Sequence, residues 1–247
     1  MKDITSTLCA SGLHEAWPPG SPTCHRASLL IDAADLQALA GDSAIPLEAL
    51  CASGIRSLSR EEASAFTGYD VGRAGFVIPT PIVTVTGGNI RASLETWPPT
   101  HWRFRFRRYR DGRDVNGPKY LSPRGASPRL YPPPLAPFTE DSTPDEIAIV
   151  EGERKALSAT AAGWPMLAVS GVYNWKRSGP DDVGTVLPEL RAIADGRKFL
   201  LLYDSDIDES HKAYAAFHRL GRTLLALGAK SARVWTLPSD LSQKAAA

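Results

Sequence analysis

Four short, unbroken apolar runs alternating with helix-length stretches constrain the fold of this chain more than anything else in it. The runs are Ile147–Val150, Met166–Val169, Phe199–Tyr203 and Ala232–Leu237. They are too short to span a membrane and lack the alternation of a half-exposed strand. Between them lie stretches with helical patterning, Arg154–Ala162, Val186–Ala194 and His211–Leu227. Continuous apolar strands separated by helices are what a parallel sheet covered on both faces requires. Gly163 and Gly228 follow two of these helices, where a C-terminal cap needs positive φ. Residues 145–247 are therefore expected to form an α/β unit, a mostly parallel sheet flanked by helices.

The chain upstream reads as α+β. Residues 1–45 mix Pro-Pro-Gly-Ser-Pro turns with one helix, Ala33–Leu39. Residues 46–144 are expected to form a small, basic, sheet-rich subdomain that ends in a connector. They open on helical patterning from Leu47 to Gly68, in which Ser59 precedes Arg60-Glu61-Glu62 as a capped helix start. Strands follow at Phe76–Ile78, Ile82–Thr86 and Trp102–Tyr109, broken by Pro and Gly turns. The prolines from Tyr131 to Thr143 predict a stiff connector.

Net charge is +1 over 247 residues, which by itself points to no partner. Its distribution is uneven. Nine Lys/Arg stand against two Asp between His101 and Tyr131, whereas residues 145–247 carry thirteen of each sign. A polyanion-binding module beside an acidic site has this asymmetry. Cys9, Cys24 and Cys51 form no CxxC pair, so neither a disulfide framework nor a zinc ribbon is encoded. Free thiols, no membrane-length apolar run and no signal-peptide pattern lead to an expected cytoplasmic location without membrane attachment. P-loop and Ser/His/Asp or Cys/His nucleophile patterns are absent from the sequence.

Two acidic motifs stand where strands end: Glu151-Gly152 after the first apolar run, and Asp204-Ser205-Asp206 after the third. Open α/β sheets bind ligands beyond the carboxyl ends of their strands. Gathered there, Glu151, Asp204 and Asp206 make a hard, oxygen-rich set suited to Mg²⁺ or Mn²⁺. Glu151 serves as a further ligand or as a general base. Asp208 is a fourth candidate ligand and equally a cap for the helix that follows. An EF-hand loop is excluded, since Glu209 and Ala215 occupy its glycine and glutamate positions. Gly152, Lys155 and Gly171 are candidates for phosphate or nucleotide contact, although Ser170-Gly171-Val172 equally suits an ordinary βα turn.

The segment Trp102-Arg103-Phe104-Arg105-Phe106-Arg107 alternates with period two, so its aromatics and arginines take opposite faces of a strand. The aromatics are expected in the core. The arginines, with Arg108, Arg110, Lys119, Arg124 and Arg129, are expected to track nucleic-acid phosphates. About five such contacts give a log–log salt slope of roughly −3.5 on single strands.

Glu-Gly after one strand and Asp-x-Asp after a later one resemble the Toprim domain of primases, topoisomerases and some nucleases. Glu151–Leu157, Ser170–Trp175 and Asp204–Asp206 are similar to Toprim-like modules of phage and plasmid replication proteins, relatives of DnaG-type bacterial primases. Upstream, Gly75-Phe76-Val77-Ile78-Pro79 and Pro118-Lys119-Tyr120-Leu121-Ser122-Pro123 resemble primase motifs, in the primase order. The resemblance implies Mg²⁺-dependent nucleotidyl transfer in primer synthesis, on a single-stranded DNA template, from nucleoside triphosphates, with a separate replicative helicase as a possible partner. Two departures from the primase pattern stand out. Lys155 occupies the position of an acid four residues after Glu151, and only Asp240 stands where a third acidic motif is expected. A Toprim nuclease, or a non-catalytic nucleic-acid-binding module working with a helicase, remains the alternative.

Overall fold

The computed structural model describes residues 30–107, 109–110, 113–114, 118–140, 142–179, 181–203 and 211–236. Its elements alternate as the apolar runs require. In the second half, β9 (Glu146–Glu151), α4 (Glu153–Ala161), β10 (Met166–Val169), α5 (Asp182–Thr185), α6 (Pro188–Ala194), β11 (Lys198–Tyr203), α7 (His211–Ala226) and β12 (Ser231–Thr236) follow one another. The four strands form one parallel sheet in the order β10-β9-β11-β12. Residues 186–187, expected to be helical, instead lead into α6. Val186 forms an isolated bridge with Lys176, and Pro188 takes the first helical turn, where its missing N–H costs nothing.

Alternate residues of these strands serve two cores, which is why the runs are continuous. Ile147, Ile149, Phe199 and Leu201 pack with α6, α7 and the hairpin β3 (Ile82–Thr86) and β4 (Asn89–Ser93). The β4 strand was not expected, although Gly87-Gly88, both at positive φ, is a tight-turn signal between two strands. On the other face, Val150, Ala168 and Leu202 pack with α4 and with residues from upstream: Leu39, Ile45, Leu50, Phe76 and Ile78. Those upstream residues come from α1 (Ala33–Leu36), its π-helical continuation Gln37–Gly41, α2 (Leu47–Ser53) and neighbouring segments.

An antiparallel sheet in the order β1-β2-β5-β8 lies upstream, from β1 (Arg56–Leu58), β2 (Gly75–Pro79), β5 (Trp102–Phe106) and β8 (Tyr120–Leu121). A short pair, β6 (Tyr109–Arg110) with β7 (Arg113–Asp114), follows β5. β2 and β5 approach so closely at Gly75 that a Cβ there would lie 2.1 Å from the Arg105 carbonyl oxygen. The outer face of this sheet buries Val77, Trp102, Phe104 and Phe106 against α3 (Arg60–Thr67). The Trp102, Phe104 and Phe106 side chains thus sit in the core, as their alternation predicts. α3 begins on the expected capping box: Glu62 N–H donates to Ser59 Oγ at 3.1 Å, and Ser59 N–H to Glu62 Oε2 at 2.7 Å.

The proline-rich stretch is packed rather than free. Tyr131 exchanges backbone hydrogen bonds of 2.9 and 2.8 Å with Ala168, flanking the β10 edge, and Pro132, Pro133 and Pro134 are buried. Among the described residues, no helix is long and apolar enough to cross a membrane.

Candidate active site at the carboxyl edge of the parallel sheet

The register of the parallel ladder decides which side chains reach one edge. Val150 pairs with Leu202 and Glu151 with Val169, while Tyr203 pairs with Thr236. Glu151 and Tyr203, the residue before Asp204, therefore close neighbouring strands at the same rung. Asp204, Asp206 and Asp208 themselves lie outside the described residues. No group of three or more His, Cys, Asp or Glu gathers among the described residues. The donor set the sequence offers at this edge is entirely carboxylate oxygen, which fits a hard divalent ion and not zinc or copper.

Gly152 turns the chain from β9 into α4 with φ 101° and ψ 131°, a region that is essentially glycine's own, and donates its N–H to the Val169 carbonyl at 3.0 Å. A Cβ on Gly152 would meet nothing within 4 Å, so the space over this turn is open. On the neighbouring turn, Asn174 N–H donates to the Gly171 carbonyl at 2.8 Å, and its side chain reaches Ser170 Oγ at 3.1 Å. Lys155 is exposed on the first turn of α4.

The arginine stripe of β5 lies on the side of its sheet that turns toward the parallel sheet, and Arg103 is the member that reaches this edge. Phe76 and Ile78 pair in register with Arg105 and Arg103 and belong to the core shared with the parallel sheet. Arg103 crosses the gap: its Nη1 lies 3.3 Å from Glu153 Oε1 and 2.5 Å from the Ser170 carbonyl oxygen. Glu153 is only 4% exposed, so Arg103 neutralises a carboxylate that could not otherwise be buried. Tyr120 lies between two arginines, with the Arg103 guanidinium 4.2 Å and that of Arg105 5.1 Å from its ring centroid; Arg105 Nη1 also donates to the Tyr120 hydroxyl at 2.8 Å.

Arg107 is committed elsewhere. It grips Asp35 bidentately, with Nε and Nη2 each at 3.0 Å, and also contacts Asp32. Of the three stripe arginines, Arg103 thus ties the upstream half to the parallel sheet and Arg107 ties β5 to α1, while Arg105 contacts no carboxylate among the described residues. Lys119, Arg124 and Arg129 are exposed. The side chain of Arg110, and all of Arg108, lie outside the described structure.

Sequence reasoning missed three parts of this arrangement. The Arg103–Glu153 clamp joins residues fifty positions apart, with no local signal. Tyr120 was visible only as part of the Pro118–Pro123 motif. Tyr131 is wholly buried, and its hydroxyl has no hydrogen-bond partner among the described residues; burial first, and then the Glu153 charge, push its pKa up.

This two-sheet arrangement has relatives among solved structures. A crystal structure of a DNA primase domain from Pseudomonas aeruginosa superposes with a TM-score of 0.52 at 16% identity, over 87% of this chain and 69% of that one. The fold is primase-related. The zinc-binding and RNA polymerase domains of the Aquifex aeolicus primase give a TM-score of 0.48 at 14% identity, over 87% of this chain and 54% of that one. Residues 140–244 match the family described as a domain of unknown function, DUF3854. The Gene 57 protein of Mycobacterium phage D29 is 37% identical over 87 residues, 32% of this chain and 50% of that protein. The chain therefore matches about half the length of this curated relative.

Proposed function

We propose that this chain is a primase-like protein of a DNA replication system, with a Toprim-type centre that binds single-stranded template and joins nucleotides. The observation that carries the reading is the meeting of two surfaces. Glu151 and the strand that leads into Asp204 end on one rung, opposite a stripe in which Arg105 keeps its charge unpaired among the described residues. In this reading the halves divide near residue 145, the basic half holding template and the acidic half holding nucleotide.

Glu151, Asp204 and Asp206, with Asp208 beside them, would hold Mg²⁺ or Mn²⁺. When bound, the ion supplies charge neutralisation on the triphosphate and alignment for in-line displacement. The remaining work belongs to the chain. The backbone at Gly152 and Gly171, with the Lys155 ammonium, would receive nucleotide phosphates. Arg105, Lys119, Arg124 and Arg129 would hold template phosphates, and Arg103 would fix the distance between template and nucleotide through Glu153. A separate helicase and a cytoplasmic site of action belong to the same proposal.

The test is primer synthesis on single-stranded DNA with labelled nucleoside triphosphates and Mg²⁺. Extension products that vanish in Asp204→Asn and in Glu151→Gln support the reading. No product from a chain that binds single strands rejects polymerase activity. Degradation of the strand with Mn²⁺ and no nucleotide assigns the centre to a nuclease instead. Lys155 in place of an acid favours one further reading, a binding module without chemistry. In that case Asp204→Asn leaves strand binding and biological activity intact, while Arg105→Glu abolishes both.

A further inference from the structure

The turn that closes β10 holds an aromatic side chain at the carboxyl edge without burying it. Gly171 to Asn174 form one tight turn, closed by the Asn174 N–H on the Gly171 carbonyl, with Val172 and Tyr173 in its central positions. Val172 packs against the core of the parallel sheet. Tyr173 does not join that core and is 49% exposed. Central positions of tight turns favour Gly, Pro, Asn, Asp and Ser, so turn chemistry gives no reason for a large phenol there. A single exposed aromatic is ordinary on a protein surface. This one is set apart by where it stands and how firmly it is held.

Strand alternation puts Tyr173 and Glu151 on one side of the sheet. Ile147 and Ile149 of β9 face the core shared with α6 and α7, so Glu151, two residues on, projects from that same face. Val172, Trp175, Val186 and Leu187 belong to the same core, so the stretch after β10 runs over the Glu151 face. Val169 is in register with Glu151. The turn therefore opens two residues past the Glu151 rung, on a neighbouring strand about 4.8 Å away.

Its position is fixed from both ends. Arg103 donates to the Ser170 carbonyl before the turn, and the Asn174 side chain reaches Ser170 Oγ at 3.1 Å within it. After it, Trp175 is buried and accepts from the Leu187 N–H at 3.0 Å. Lys176 Nζ then meets Asp182 at 2.6 Å, and Asp182 accepts from Arg219 of α7 at 2.9 and 2.7 Å. The Tyr173 phenol lies within electrostatic reach of that arginine. A ring held in place before a ligand arrives loses little freedom on binding.

We infer that the Tyr173 ring is the platform on which the base of an incoming nucleoside triphosphate stacks, while its phosphates lie over Gly152 and Gly171. The inference rests on the reading of the carboxyl edge as a nucleotide site. Every base has a π-face, so such a platform adds affinity without choosing among bases and leaves that choice to pairing with a template.

The experiment uses the full chain with Mg²⁺ and three probes. ATP carries base and phosphates, inorganic tripolyphosphate carries phosphates alone, and labelled oligo-dT reports strand binding. Tyr173→Ala is expected to weaken ATP roughly tenfold, and Tyr173→Phe to keep the parent's affinity. Tripolyphosphate and oligo-dT should bind Tyr173→Ala as they bind the parent, with Tm within about 2 °C. ATP bound equally by the parent and Tyr173→Ala overturns the assignment; the nucleotide reading then still stands if Glu151→Gln weakens both ATP and tripolyphosphate. Equal losses of ATP and tripolyphosphate in Tyr173→Ala overturn it too, since they mark a displaced turn. A loss confined to oligo-dT moves the ring to the template strand and overturns the nucleotide assignment. A parent that binds neither ATP nor tripolyphosphate removes the nucleotide reading and this inference together.

Discussion

Removing the Arg103–Glu153 clamp should separate its structural contribution from any contact with nucleic acid. The two side chains are 15% and 4% exposed, with 3.3 Å between Nη1 and Oε1. At an effective dielectric of about 20 the attraction is about 5 kcal/mol, before desolvation offsets much of it. Arg103→Met leaves the Glu153 carboxylate buried without a counter-charge and takes a donor from the Ser170 carbonyl. It should destabilise by about 3 kcal/mol, lowering Tm by roughly 6–12 °C for a chain of this size. Glu153→Leu should have a similar effect by stranding the guanidinium. The double variant, Arg103→Met with Glu153→Leu, removes both charges and fills the space, so its stability should lie within about 1 kcal/mol of the parent. Urea unfolding of the four proteins closes the cycle, with an expected coupling of at least about 2 kcal/mol. Strand binding by the stable double variant then reports on Arg103 alone: loss of affinity marks a phosphate contact, and unchanged affinity marks a positioning residue. Additive single effects, with the double variant as unstable as their sum, would refute the pairing argument.

Gly152→Ala should destabilise by about 1–3 kcal/mol, because a Cβ there meets open space and the whole cost is backbone strain at φ 101°; Ala at Gly163, which only follows a helix, tests whether any loss of nucleotide binding is specific to the Gly152 turn. Asp182 accepts from Arg219 and Lys176, and these hydrogen bonds hold its carboxyl below the usual carboxylate range. The stability it contributes is therefore complete above the unfolded value of about 3.9 and is lost as pH falls through the lower folded value. Asp182→Asn should lower Tm by about 1–4 °C at pH 7, and the difference from the parent should shrink progressively as pH falls below about 3.9; a difference that does not shrink with falling pH would show that packing, not charge, is responsible.

The parallel sheet was legible in the sequence because a strand buried on both faces leaves a mark that nothing else leaves, an unbroken run such as Phe199–Tyr203. The alternation from Trp102 to Arg107 was equally readable, since a period of two fixes which residues face the core. What could not be read was the destination of the other face. Alternation shows that Arg103, Arg105 and Arg107 share a side; it does not show that Glu153 and Asp35 come to meet two of them. Those partners lie 50 and 72 positions away, and long-range pairs leave no periodic signal. β4 was missed for a different reason. Asn89-Ile90-Arg91-Ala92-Ser93 alternates with only two apolar residues, both small or medium in size, and so carries little weight beside the Gly87-Gly88 turn that announces it.

The stripe also shows how a basic segment can hold a fold together and still offer a surface. Three guanidinium groups on adjacent alternate positions of one strand repel one another, and a cleft between two sheets limits their access to water. Carboxylates from α4 and from the α1 region neutralise the outer two, at Arg103 and Arg107, and both pairs join segments that have no covalent neighbour in common. Among the described residues, the central Arg105 has only a neutral phenol as its hydrogen-bond partner. A polyanion entering the cleft would therefore meet a single uncompensated charge at its centre, rigidly oriented by its neighbours, with Lys119, Arg124 and Arg129 exposed downstream. Of the basic residues in this region whose side chains are described, about four then remain for phosphate contact rather than five, which lowers the expected salt slope on single strands to roughly −2.8.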